Sequence, residues 1–200
     1  MLRFIFKAKN RIYKLIDIQF KKLQIVEWKA LYKNRFYLKS GFDFGNLFSL
    51  NFDISNSLVQ IGNSVTFRDY CIIRSGCDSK LSIGNNVFFN SNCSINCFDE
   101  ITIGNDCLFG EAVKFYDANH NYKNADVLIS SQGWNTGKIK IGNNCWFGAN
   151  VIILKNVSIG NNVVIGANCL VYKSIPDDCV VTCNQQLKID VKNKTNIGNG

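Results

Sequence analysis

Between residues 58 and 188 the tripeptide Ile-Gly-Asn begins at 61, 83, 103, 141 and 159, and Ile-Gly-Ala-Asn follows at 165. From residue 141 the chain divides into sixes without a gap: IGNNCW, FGANVI, ILKNVS, IGNNVV, IGANCL, VYKSIP. Each block opens with a bulky apolar residue, usually carries Gly second, and places Cys, Val or Ile fifth. The earlier chain obeys the same rule with interruptions, as IGNSVT, FRDYCI and IRSGCD from 61, IGNNVF and FNSNCS from 83, and IGNDCL, FGEAVK and FYDANH from 103. A period of six is neither the 3.6 of a helix nor the plain alternation of a strand. It predicts an all-β solenoid whose coil holds three short flat strands joined by tight turns, with the first residue of each hexad pointing inward. Gly and Asn at positions two to four are expected to supply positive-φ turns. Stacked coils bury a continuous apolar ladder, and each coil depends on its neighbours. Pro176, the only proline, stands where the repeat stops.

The frame accounts for most of the nine cysteines. Cys71, Cys77, Cys93, Cys107, Cys145 and Cys169 all fall at a fifth position, where a small apolar side chain is wanted and a reduced Cys serves as one. Cys97, Cys179 and Cys183 lie outside the rule. An odd count with no C-x₂-C pair argues against a disulfide framework or a zinc site.

The formal charge of +8 is uneven: residues 1–40 hold eleven Lys/Arg against Asp17 and Glu27, whereas 41–200 hold twelve against thirteen acids. No nucleic-acid-binding module accompanies the basic segment, so a nucleic-acid partner is not expected. No apolar run approaches the roughly 18 to 20 residues of a membrane span. Lys7 breaks the opening apolar run and no small-residue cleavage site follows, so the expected location is cytoplasmic. Ile12, Leu15, Ile16, Gln19 and Leu23 recur at helix spacing with Lys/Arg between them, which predicts two short basic helices before a Phe-rich lead-in at Phe42, Phe44, Phe48 and Phe52. These helices either clasp a neighbouring coil or hold the chain at the inner face of an anionic membrane. The expected division is a basic helical segment over 1–40, a solenoid domain over 41–188 with an extruded loop at 121–140, and a polar tail over 189–200.

The hexads, together with the run NNCWFGANVIILKNVSIGNNVVIGANCLVYKSIP, resemble the hexapeptide-repeat acyltransferases over about residues 58–188, and most of all the sugar O-acetyltransferases of the galactoside and maltose type. The resemblance implies a left-handed parallel β-helix, a homotrimer with sites between neighbouring subunits, and acetyl-CoA as acyl donor. It also implies a sugar or glycan hydroxyl as acceptor, as in precursors of capsule or O-antigen; the alternatives are another small acceptor (an antibiotic, an amino-sugar nucleotide or serine) or a non-catalytic trimeric β-helix scaffold.

The last early hexad, FYDANH, ends on His120, the only histidine of the chain, where the polar stretch 121–140 departs from the frame. Acyl transfer to a hydroxyl needs a base near neutral pH, and imidazole is one. The string DANHNY resembles the Asp-His-Asn-His turn of sugar O-acetyltransferases, with Ala118 in place of the first His. By that resemblance His120 is the general base. Asp117 either orients its ring or completes the turn. Asn90 matches the acceptor-contacting asparagine, with Asn92 its nearest competitor and a turn role the alternative. Trp146, at a sixth position and facing outward, matches a tryptophan of the active-site wall. Gly148, Ala149 and Ala167 are expected along the pantetheine arm, with Lys173 either near the nucleotide phosphates or a solvated charge. Relatives carry a Gly-x-Pro-Ala turn after the coil, whereas this chain reads VVTCNQQLKI there, leaving Lys188 as a further candidate phosphate contact.

Overall fold

The structure, a computed structural model, describes residues 2–52 and 56–184. Lys188 and the expected 189–200 tail therefore lie outside the described residues. The chain winds into stacked coils of three strands each, so that three parallel sheets run the length of a solenoid. The first face is built from Phe36–Leu38, Leu58–Ile61, Lys80–Ile83, Glu100–Ile103, Ile139–Ile141 and Val157–Ile159. The second holds Asp43–Phe44, Thr66–Phe67, Phe88–Phe89, Leu108–Phe109, Trp146–Phe147, Val164–Ile165 and Val180–Val181. The third holds Ser49–Phe52, Ile72–Ser75, Ser94–Cys97, Lys114–Tyr116, Ile152–Leu154 and Leu170–Val171.

The hexad frame sets the register. Ile61, Ile83, Ile103, Ile141 and Ile159 pair in one parallel row on the first face, each side chain turned into the core. On the second face the inward residues are Phe67, Phe89, Phe109 and Phe147, whose rings stack at 4.2, 4.6 and 4.7 Å between successive centroids. Offset stacking at this distance is favourable, and the coil-to-coil spacing of about 4.8 Å imposes it.

Two backbone devices hold the coils at that spacing. Between the first and second faces, the Asn that follows each Gly accepts from the coil before it. The N–H of Asn63 donates to Asn85 Oδ1 at 2.9 Å, Asn85 to Asn105 at 2.8 Å, Asn105 to Asn143 at 2.8 Å and Asn143 to Asn161 at 2.8 Å. Asp177 ends the row by accepting from Asn161 at 2.8 Å. The glycines beside them are needed for space rather than for φ. A Cβ on Gly104 would fall 2.5 Å from the Gly142 carbonyl oxygen, and Gly84 meets Gly104 in the same way. The left-handed backbone expected for these turns sits two residues later, at Ser64, Asn86, Asp106, Asn144 and Asn162.

Five of the six framed cysteines, Cys71, Cys93, Cys107, Cys145 and Cys169, are buried as expected. Cys77 is exposed, because the strand Ile72–Ser75 ends on a turn in which Ser79 takes the interior, its hydroxyl 2.8 Å from both Ser75 Oγ and the Gly76 carbonyl. Cys97 is buried outside the frame, and burial raises its thiol pKa.

The N-terminal segment differs from expectation. Instead of two short helices it forms one helix, α1 (Leu2–Tyr32), followed by a single 3₁₀ turn, Lys33–Arg35. No Gly or Pro interrupts residues 2–32, so nothing in the sequence ends the helix earlier. The Phe-rich lead-in is itself the first coil. Trp28 closes its open end, with ring centroids 5.2 Å from Phe44, 5.7 Å from Phe48 and 6.4 Å from Phe36. A terminal coil would otherwise expose its apolar interior, which is why solenoids carry caps.

Gly104→Ala is expected to cost about 1–3 kcal/mol through overpacking, lowering the melting temperature by roughly 3–10 °C. Gly166→Ala, whose added Cβ would make ordinary contacts with Val181 O at 3.4 Å and Thr182 at 3.6 Å, serves as the control and leaves the melt nearly unchanged in calorimetry.

Candidate functional site

The solenoid has three edges, and the sequence-predicted residues divide between two of them. Between the third face and the first, the coil ending at Tyr116 does not pass straight to Ile139. It leaves as an antiparallel hairpin in which Ala118–His120 pairs with Trp134–Thr136 and His120 faces Trp134. The expected loop thus has regular structure at its base. Its outer part is braced by Gln132, whose Nε2 donates to the Asn124 and Val127 carbonyls at 2.8 Å, while Asn121 Nδ2 donates to the Gln132 carbonyl at 3.1 Å. Lys155, on the same edge one coil further on, donates to Asn135 Oδ1, and Lys138 pairs with Glu100 at 2.6 Å.

His120 is exposed, and its ring nitrogens have no hydrogen-bond partner among the described residues. A stack of aromatic rings fixes its position instead. The His120 centroid lies 3.9 Å from Trp134 at 30°, and Trp134 lies 5.0 Å from Phe98 at 23°. Phe98 rests on Gly76, where an added Cβ would come within 2.6 Å of the ring. Trp134 carried no signal in the six-residue frame. Its only mark in the sequence is that it is a large ring in a polar stretch, SQGWNTG.

Asp117 is fully buried, and its carboxylate is engaged by backbone amides rather than by His120. Oδ1 accepts the Phe98 N–H at 2.7 Å and Oδ2 accepts the Asp99 N–H at 2.9 Å. Burial raises its pKa, with the two amide hydrogen bonds opposing the rise. Asp117 therefore holds the turn that carries Phe98, and it reaches His120 only through the ring stack.

A second edge, between the second and third faces, carries Asn90, Gly148, Ala149 and Ala167. Asn90 Oδ1 accepts the N–H of Ser91 at 2.9 Å, which leaves its amide NH₂ available. Asn92 has left-handed φ and donates to Glu111 at 3.3 Å, so it serves the turn. Gly148 lies tight against the next coil, since an added Cβ would sit 2.5 Å from the Ala167 N. Trp146 stands on the second face between Leu108 and Val164, its side 56% exposed. Lys173 is on the hairpin's edge instead, its ammonium 5.5 Å above the Tyr172 ring. About six residues of extended chain, roughly 20 Å, separate the two edges along a face. One chain therefore brings His120, Trp134 and Lys173 to one edge, and it brings Asn90, Gly148, Ala149 and Ala167 to another.

Residues 138–173 match the family model described as bacterial transferase hexapeptide (six repeats). Nodulation protein L of Rhizobium meliloti (strain 1021) is 35% identical over 79 residues, which is 39% of this chain and 42% of that protein, so the match spans under half of that relative's length. Among solved structures, a hexapeptide-repeat containing acetyltransferase from Vibrio cholerae superposes with a TM-score of 0.51 at 23% identity, over 84% of this chain and 81% of that one. A variant of AntD, an N-acyltransferase from Bacillus cereus crystallised with dTDP and coenzyme A, gives a TM-score of 0.53 at 19% identity, over 81% of this chain and 92% of that one. At these identities the likeness is one of fold, and it agrees with the register, the Asn row and the stacked glycines. The solenoid of this chain is a parallel β-helix of hexapeptide repeats, and its residues 138–173 match the bacterial transferase hexapeptide model.

Proposed function

We infer that the chain is an acetyl-CoA-dependent O-acetyltransferase that acts on a sugar hydroxyl, with His120 as the general base. The observation that carries this reading is an imidazole exposed at a coil edge, with unengaged ring nitrogens and a ring held by aromatic stacking. The transferase repeat array beginning at residue 138, directly after the hairpin, supports it. The resemblance of DANHNY to the sugar O-acetyltransferase turn gives the acceptor class, with a capsule or O-antigen precursor as the source of the hydroxyl.

In the proposed step, one nitrogen of neutral His120 removes the hydroxyl proton as the oxygen attacks the thioester carbonyl. The tetrahedral species then collapses with cleavage of the C–S bond, and the imidazolium returns its proton to the departing thiolate. An ester and free CoA result, and His120 regains its starting state. The proposed transfer is direct, with no acyl-enzyme: Cys71, Cys93, Cys107, Cys145 and Cys169 are enclosed in the coil, and transfer through an exposed cysteine such as Cys77 predicts ping-pong kinetics and a covalent intermediate instead.

The site requires a second copy of the chain. Asn90 at the acceptor, and Gly148, Ala149 and Ala167 along the pantetheine arm, belong to an edge roughly 20 Å from the hairpin of the same chain. A homotrimer in which each hairpin edge meets a neighbour's small-residue edge would assemble the full set, and closed cyclic symmetry suits a three-sided prism. The outward apolar row on the second face supports this arrangement: Leu108, Trp146 and Val180 are all exposed within one chain. Lys173, on the hairpin side, would then approach the donor phosphates of the shared site.

His120→Ala is expected to lower kcat by about 10²- to 10⁴-fold in an assay of free CoA release with glycan acceptors. Full activity in that variant with a true acceptor excludes the base assignment and leaves another acyl-transfer chemistry, whereas a wild type that releases no CoA with any acceptor leaves a non-catalytic scaffold. Asp117→Asn is expected to act on folding, because an amide offers one acceptor oxygen to two N–H donors, at a cost of about 1–3 kcal/mol. Its pH dependence has a definite sign. With the folded pKa raised, the stabilisation linked to this group is full below the usual carboxylate pKa and is lost as pH rises through the raised value. Wild type therefore gains stability over Asp117→Asn as pH falls toward 4, measured by urea unfolding across pH; a constant difference contradicts the burial argument.

A further inference from the structure

We propose that the outward face of α1 lies on an anionic phospholipid bilayer and anchors the enzyme peripherally. The helix meets the solenoid along one side only. Trp28 packs on Phe36, Phe44 and Phe48, Ile25 and Tyr32 join the same core, and Lys21 reaches Asp43 at 3.0 Å. At about 100° per residue, the opposite side presents Leu15, Val26, Ile12 and Leu23, each between 55% and 68% exposed, while Ile16 and Phe20 border a groove shared with Gly45, Asn46 and Asp69. A helix that only capped the first coil would need one apolar stripe, but α1 has two, and the second has no partner among the described residues.

The charge beside this second stripe names its occupant. Arg11, Lys22 and Lys29 fall within about 20° of one another along one border, all exposed. Asp17 is directed to the solenoid side, where it pairs with Lys21 at 3.2 Å, which leaves Glu27 as the acid near the stripe. Over its whole length α1 carries eight Lys/Arg and two acids. A second copy laid against the stripe would bring like charge to like charge, whereas anionic headgroups match the cationic border while the apolar residues enter the acyl boundary. Among the described residues no helix is long and apolar enough to cross a membrane, so α1 lies on the surface. This docking stands apart from the acyl-transfer reading, since none of its residues belongs to the candidate site.

The test is co-sedimentation of the full chain with vesicles of phosphatidylcholine alone, and with about 30 mol% phosphatidylglycerol added. Binding on the order of tenfold stronger to the anionic vesicles is expected, weakening as salt rises. Ile12→Glu/Leu23→Glu abolishes binding to both vesicle types, while Lys22→Glu/Lys29→Glu removes the preference for anionic lipid. Thermal melts of both variants match wild type, because these side chains do not touch the coils. The proposal is overturned if well-folded wild type ignores anionic vesicles or binds both kinds equally. It is also overturned if Ile12→Glu/Leu23→Glu reduces the assembled mass in sedimentation velocity, which would make a second copy the occupant.

Discussion

The close approach of one coil to the next governs this structure. At Gly62, Gly84, Gly104 and Gly142 the backbones of adjacent coils come so near that a methyl group would overlap the neighbouring peptide. The Asn beside each glycine turns that proximity into a hydrogen-bonded row from Asn63 to Asp177. The ring stack from Phe67 to Phe147 and the isoleucine row on the first face follow from the same spacing, because parallel strands in register place identical positions above one another. Each coil buries its apolar residues only if the next is present, so stability is shared along the axis and the ends need protection. Trp28 protects one end, and Asp177 closes the polar row at the other.

A rigid prism of this kind can carry chemistry only at its edges, and its three edges differ. One is committed to the Asn row. Another is lined by small residues such as Gly148, Ala149 and Ala167. The third tolerates insertion, and there the chain extends the hairpin that carries His120. Holding an imidazole on an exposed hairpin requires support that the coil itself does not give, and the stack of Gly76, Phe98, Trp134 and His120 supplies it across successive coils. Asp117 completes this support from below by fixing the amides of Phe98 and Asp99. A buried carboxylate engaged by two N–H donors is a structural strut, and its influence on His120 passes through the turn and the two aromatic rings.

The repeat was legible wherever its signal was local. The coil frame, the inward positions and five of the framed cysteines follow from a rule that can be read six residues at a time. The chain departs from the rule where a different local demand meets it. Cys77 occupies a fifth position, but the turn through Gly76 and Ser79 puts it outside. The first coil reads only as a lead-in because its corner after Leu38 is Lys-Ser-Gly in place of the Gly-Asn that follows Ile61, Ile83, Ile103, Ile141 and Ile159. The helix appeared divided because apolar positions occur on two sides of it, a pattern that a single amphipathic face does not produce.

By itself the sequence determined the solenoid, its period, the location of the excursion and the presence of one histidine at its base. Those features are set by neighbours in the chain, or by residues one coil apart at fixed spacing. Only the tertiary structure decided that Trp134 meets His120, that Asp117 serves a turn, that the candidate residues lie on two edges, and that α1 keeps a second apolar side free. Each of these depends on which parts of distant coils face one another across an edge, and a one-dimensional period carries no information about direction around the prism.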